Sequence, residues 1–409
     1  MPNILPFRGI FFNKERVGEI HELIAPPYDV ISPEEKGRFS SPYNITRLTL
    51  SWKENDYKER GEKWRIWKEK GVFIRQENPS YYLHYHYFPY EGKERLRKGF
   101  FAAVELSEYN KKEIIPHEAT LPSPKEDRYK LLQVTGASLE PVFFLLPQGK
   151  EVINILEERR EELIFSFSIG EERHLLWRIS REDITREISL SLLHKKLYIA
   201  DGHHRYETSL LYSKEESSFK YILGYIVPLE EEGLIILPAH RLLKDIPEEA
   251  VKKLFTEGKK FFNFFPIQTT SFQEILKKEG EKHHAFIFIK KGLSPYLIKS
   301  INEKKVEKEI LDHSPAWKKL DVSILHSVIF SEIMGMDEEE LQKENLLSYI
   351  VGREKALDLI ERGEFEGGFF LNPTRVEEVK RVADKGEKMP GKATYFYPKV
   401  PSGLIMFEP

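Results

Sequence analysis

The sequence predicts a mixed α+β chain, an α/β core flanked by N-terminal and C-terminal α+β regions. Three observations carry that reading. Helical and strand patterns alternate over residues 112–240, as in layered α/β packing. Runs rich in aromatic and β-branched residues on either side read as antiparallel hairpins. Apolar residues make up 40% and charged residues 32% of 409, enough for real cores under a well-solvated surface. The expected division is 1–110, 111–245 and 246–409.

In chain order, Ala25 to Ile31 is held out of regular helix by Pro26 and Pro27, which fix φ and remove donors. Ser32, Pro33 and Glu35 form a capping-box start for a helix. Asn44 to Leu50 reads as a strand. Tyr57 to Lys70 reads as a helix with Trp64 and Trp67 on one face. Tyr81 to Tyr90 and Gly99 to Leu106 pair as a hairpin. Pro124 to Val134 is a helix and Pro141 to Leu146 a strand. Val152 to Ile164 and Arg181 to Leu193 are helices. Lys195 to Ala200 is a short apolar strand followed at once by a helical pattern. Tyr221 to Pro228, Leu234 to Leu237, Ala285 to Ile289, Tyr296 to Ile301 and Gly367 to Leu371 are strands. Asp321 to Met334 and Glu338 to Ile350 read as amphipathic helices. Ala393 to Phe407 is strand material broken by Pro398 and Pro401.

The formal net charge of −3 argues against a dedicated nucleic-acid binder, which carries a basic excess. The absence of cysteine excludes disulfides, thiolate metal sites and a cysteine nucleophile. Met1 to Phe12 lacks the pattern of a signal peptide. The longest apolar stretches, such as Tyr221 to Leu229, fall well short of the ~18 residues that cross a bilayer. A cytoplasmic location without membrane association is expected. Abundant Lys and Glu without Cys point to a thermophilic source.

The chemistry concentrates in Ile199-Ala200-Asp201-Gly202-His203-His204-Arg205-Tyr206-Glu207. A strand ends, a glycine turns, and a helix begins. The first-turn N–H groups of a helix are unpaired and carry partial positive charge, a ready anion site. Arg205 can fork onto two phosphate oxygens. His203 and His204 can donate to phosphate or bind a metal. Asp201 is placed to ligate Mg²⁺ or accept a proton. The bland alternative is a helix cap flanked by surface histidines. A second cluster lies upstream. Pro116-His117-Glu118 delivers a carboxylate from a strand end, and Lys125 and Arg128, three apart, share a helix face.

Together, Pro116-His117-Glu118 and Asp201-Gly202-His203-His204-Arg205 resemble the free serine kinase branch of the ParB/sulfiredoxin-like superfamily. The resemblance covers about residues 112–215. A longer pattern resembles a family catalogued as a domain of unknown function. It comprises Ala25 to Val30, Pro116 to Glu118, Lys125 to Arg128, Ile199 to Glu207, Leu237-Pro238-Ala239-His240-Arg241, Leu371-Asn372-Pro373-Thr374 and Tyr395-Phe396-Tyr397-Pro398-Lys399. The first resemblance implies a ParB/sulfiredoxin-like core and Glu118 as the base toward a substrate hydroxyl, with His117 beside it. It also implies that Asp201 to Arg205 contact phosphate.

The resulting expectation is a small-molecule kinase. It would use Mg²⁺ and ATP or ADP to phosphorylate a hydroxyl, that of free L-serine first among candidates. Phosphoryl transfer asks a protein chiefly for positioning, a cationic clamp and a metal. No Walker loop or protein-kinase motif set is present. Gly202, His203, His204, Arg205, Lys125 and Arg128 would hold the nucleotide, and Asp201 the Mg²⁺. Tyr28, Asp29, His240, Arg241, Asn372 and Thr374 are candidates on the substrate side. Two other readings stay open, a ParB-like nucleotide-hydrolysing regulator and a metal-dependent phosphohydrolase using the histidines. Elsewhere, His84 and His86 sit two apart on a strand. They suit a metal or, among tyrosines, one face of the hairpin. His283-His284 reads as a solvated strand start.

Overall fold

The computed structural model describes residues 2–53, 55–120, 122–268 and 272–409. The chain forms two compact units. The first comprises Met1–Pro116, Thr120–Ile235 and Pro398–Pro409; the second comprises His117–Ala119 and Ile236–Tyr397. The expected boundary near residue 110 falls inside the first unit. There the strand Lys93–Glu105 pairs with Tyr221–Pro228.

The first unit is built on a nine-stranded mixed sheet. Its order runs Ile114–Ile115, Leu197–Asp201, Val142–Leu146, Tyr221–Pro228, Lys93–Glu105, Tyr81–Tyr90, Glu172–Ile179, Glu162–Ile169, with Ile4–Leu5 also on Lys93–Glu105. Leu197–Asp201 is parallel to Ile114–Ile115 and antiparallel to Val142–Leu146. The hairpin Tyr81–Tyr90/Lys93–Glu105 appears as expected, although its second strand starts earlier. In the next pairing, His86 lies directly opposite His174. Apolar side chains fill the core, among them Leu83, Phe100, Phe144, Ile199, Tyr206 and Ile226. Trp64 and Trp67, on the helix Tyr57–Glu69, are buried together as their spacing predicts.

Several expectations fail for local reasons. Asn44 to Leu50 is not a strand. The Asn44 side chain accepts from Thr46 N–H at 2.9 Å, and a short helix Thr46–Thr49 follows. Such local side-chain capping competes with a strand ladder. The helix expected over Val152 to Ile164 spans Lys150–Glu158. Beyond it lies a hairpin, Glu162–Ile169 with Glu172–Ile179. The helix expected over Glu338 to Ile350 ends at Lys343. Asn345 then takes positive φ (55°), and the strand Leu347–Val351 follows.

The second unit holds a six-stranded antiparallel sheet. Its order is Phe262–Pro266, Tyr296–Ser300, Ala285–Lys290, Gly367–Leu371, Ala239–Leu243, Leu347–Val351. The segment Asp321 to Met334 is helical as expected, with Ile324–Met334 wound as a π-helix. It is buried along nearly its whole length rather than amphipathic. No helix among the described residues is long and apolar enough to cross a membrane.

Candidate functional site

The strand Leu197–Asp201 is buried from Leu197 to Ala200. Its pairing with Val142–Leu146 shifts register between Ile199 and Asp201. A bulge of this kind re-aims the side chains at a strand end. Gly202 follows in the left-handed region (φ 91°, ψ 28°) and leads into the helix His203–Glu215. Only glycine enters that conformation without penalty. A Cβ at Gly202 would also lie 3.0–3.1 Å from the Arg205 guanidinium. The first intrahelical bond is Tyr206 N–H to Gly202 C=O, 2.9 Å. The amides of His203, His204 and Arg205 precede it. His203 is buried and His204 half-buried.

Asp201 is the electrostatic centre of this turn. Its Oδ2 accepts from Arg205 Nη2 at 2.6 Å, and its Oδ1 accepts from Lys399 Nζ. Burial works against charge on Asp201. Lys399 and then Arg205 outweigh it and hold the carboxyl well below the usual carboxylate range. Arg205 also donates to Pro141 C=O. Burial opposes its charge too, but Asp201, Glu140 and Asp29 raise its pKa further. Both carboxylate oxygens of Asp201 therefore already face cations. A divalent ion there would meet two positive charges at contact distance, so the residues do not fit the expected Mg²⁺ ligand role for Asp201.

A second layer backs this cluster. Glu140, itself buried, accepts from Tyr28 N–H at 3.3 Å, from Arg128 Nη1 at 3.4 Å and from Ser402 Oγ. Arg128 is not a free phosphate ligand as expected. It is buried, donates to Thr49 C=O at 2.8 Å, pairs with Asp127, and lies over the Tyr28 ring at 3.8 Å. Burial pushes the Tyr28 phenol well up, although Arg128 pulls the other way. The cavity beside Arg128, Glu140 and Arg205 is about 40 Å³, room for solvent rather than a nucleotide.

Glu207 links the helix His203–Glu215 to Thr120 and Lys125 within the first unit. It accepts from Thr120 Oγ1 at 2.5 Å and from Lys125 Nζ at 3.2 Å. The helix Pro122–Thr135 thus presents Lys125 and Arg128 to two different carboxylates, Glu207 and Glu140. No sequence motif assigns a role to Lys399, Glu140 or Ser402. The available signal was a single charged or hydroxyl residue inside an otherwise apolar run, as in Leu139-Glu140-Pro141-Val142 and Lys399-Val400-Pro401-Ser402.

The other predicted residues lie in the second unit. His117 is buried and meets Thr394 Oγ1 through Nε2 at 2.9 Å. Glu118, half-buried, accepts from Lys392 N–H at 3.3 Å. His240 is packed on Phe370, and burial, with Arg241 beside it, drives its pKa down to about 3. It is therefore neutral and no phosphate clamp. Arg241 is wholly occupied inside this unit, donating to His326 Nε2 at 3.0 Å, Gly391 C=O at 3.1 Å and Ala239 C=O. Asn372 Nδ2 donates to Leu276 C=O at 3.0 Å, and Thr374 Oγ1 to Ala393 C=O at 2.9 Å. Both line a cleft of about 450 Å³ with His284, Glu307 and Asp321. His284 is buried there and bonded to Asp321 at 2.8 Å, not solvated as expected.

Solved structures similar to this chain include a conserved hypothetical protein from Pyrococcus furiosus, 15% identical with TM-score 0.37, covering 74% of this chain and 93% of that one. They also include a free serine kinase in complex with AMP, 15% identical with TM-score 0.38, covering 73% and 86%. A mutant free serine kinase in complex with ADP matches at 15% identity and TM-score 0.38, covering 73% and 87%. No functionally curated protein matches the chain. Over residues 4–323 it matches the model described as "Protein of unknown function (DUF1015)", and the chain belongs to that family.

Proposed function

We propose that this protein is a small-molecule kinase that transfers a phosphoryl group from ATP or ADP, with Mg²⁺, to a hydroxyl, free L-serine being the first candidate acceptor. The observation that carries the reading is the ionised Asp201 holding two cations, Arg205 and Lys399, where the helix His203–Glu215 opens. The turn gathers helix-terminal amides, two histidines and two cations, buried Arg205 and partly buried Lys399, at one place, the ingredients of an anion clamp. In this reading Asp201 orients Arg205 and Lys399 rather than ligating metal. His203 and His204 complete the contact with nucleotide phosphates. Glu118 keeps the role its motif resemblance implies, as the base toward the acceptor hydroxyl.

Equilibrium binding separates these parts. ATP and ADP should bind the wild-type chain and bind His204→Ala at least several-fold more weakly. Glu118→Gln should retain nucleotide affinity and lose roughly 10²–10⁴-fold in turnover, the usual contribution of a positioned base. A Glu118→Gln enzyme of near wild-type rate removes Glu118 from this role. Absence of nucleotide binding by the wild-type chain removes the reading altogether.

A further inference from the structure

Another cluster in the first unit lies on the strands Tyr81–Tyr90 and Glu172–Ile179 and shares no residue with the phosphate-site candidates. His86 and His174 face each other across the pair. Glu172 reaches both, its Oε2 lying 2.7 Å from His86 Nε2 and 3.8 Å from His174 Nε2. The ligand atoms of His86, Glu172 and His174 all fall within 4.8 Å of one another. Donors about 2.1 Å from a tetrahedral ion stand about 3.4 Å apart, so small side-chain adjustments bring these three to ligand spacing. His174 is 0% exposed, and its Nε2 has no hydrogen-bond partner among the described residues. An imidazole nitrogen buried without a partner is costly.

We infer that His86, His174 and Glu172 form a binding site for a divalent transition ion of the zinc class. Two imidazoles and one carboxylate, with no thiolate, suit Zn²⁺ or Co²⁺ and leave a fourth position open. Hard ions such as Mg²⁺ and Ca²⁺ prefer all-oxygen sets. The neighbours of His174 fit this role. With Nε2 kept as acceptor, its proton sits on Nδ1 and is donated to His84 Nε2 at 3.1 Å. His84 in turn donates from Nδ1 to the Tyr225 hydroxyl at 3.4 Å. Outer-shell hydrogen bonds of this kind fix the tautomer of a metal-binding histidine. Glu172, partly exposed, gives the ion a route in.

One group opposes binding. Arg97, fully buried, donates from Nη2 to His86 Nδ1 at 3.1 Å. In the ion-free protein His86 therefore carries its proton on Nε2, toward Glu172. Loading moves that proton to Nδ1 and turns Arg97 Nη2 away. The affinity is accordingly modest, and the charge of Arg97 favours an anion or hydroxide in the fourth position.

The test is titration of chelator-stripped full-length protein with Co²⁺, followed by visible absorption, and with Zn²⁺ by calorimetry. One ion per chain is expected, with the intense bands of low-coordinate Co²⁺. Glu172→Gln and His174→Phe should each weaken binding at least tenfold, and His203→Ala and His204→Ala should not. Glu172→Gln alters only a partly exposed carboxylate, so it decides the matter if His174→Phe does not fold. Absence of saturable binding overturns the inference, as does binding that Glu172→Gln leaves unchanged.

Discussion

Lys399 donates to the carboxylate of Asp201 across a sequence separation of 198 residues. The C-terminal segment thus closes the charge cluster that the Asp-Gly-His-His-Arg turn opens. Without Lys399 the Asp201 carboxylate keeps Arg205 but loses a charge-assisted hydrogen bond. Lys399→Met should therefore lower stability by about 1–3 kcal/mol, and Lys399→Arg by less. Urea unfolding of the three proteins checks this.

Gly202 is the second fixed point. Its φ of 91° is a left-handed conformation, and a Cβ there crowds Arg205. Gly202→Ala should cost about 1–2 kcal/mol from the backbone alone. It should also weaken nucleotide binding by displacing the guanidinium. Thermal melts and binding isotherms on one preparation report both effects.

Acid should destabilise the second unit through His240. Burial, then the nearby Arg241 charge, lowers its pKa to about 3 in the folded chain. Unfolded histidine titrates at about 6.5. Between these values the unfolded state binds a proton that the folded state excludes. Stability from this group is thus full above pH about 6.5 and falls by about 1.4 kcal/mol per pH unit as the pH drops toward 3. His240→Asn, uncharged throughout, should flatten the unfolding slope in that window by one proton. An unchanged slope would show that His240 does not titrate in this way.

How legible these features were depended on their range. The strand-turn-helix from Leu197 to Glu215 is written locally, since an apolar run, a glycine and a helical pattern are adjacent. The Tyr81–Tyr90 hairpin is equally local. The helix–strand switch at Asn345 turns on one residue taking positive φ, which a period cannot reveal. Asn44 capping Thr46 likewise beats a β-rich composition by one hydrogen bond. In the site, Asp201 to Arg205 are readable because four chemically active side chains fall within five contiguous residues. Lys399, Glu140 and Ser402 are not, because each meets its partner only through tertiary folding. The same holds for His86 and His174, far apart in sequence but opposite in the sheet.

Phosphoryl transfer to a small hydroxyl compound can be followed in a single assay. The purified chain is incubated at elevated temperature with Mg²⁺, ATP or ADP, and a panel of L-serine, other hydroxy amino acids and small alcohols. Phosphorus NMR then follows the products. A small-molecule kinase should yield a phosphomonoester, O-phosphoserine first, formed in equal amount to the lower nucleotide and lost in Glu118→Gln. No phosphomonoester with any acceptor, or nucleotide consumed only to inorganic phosphate, would contradict that assignment.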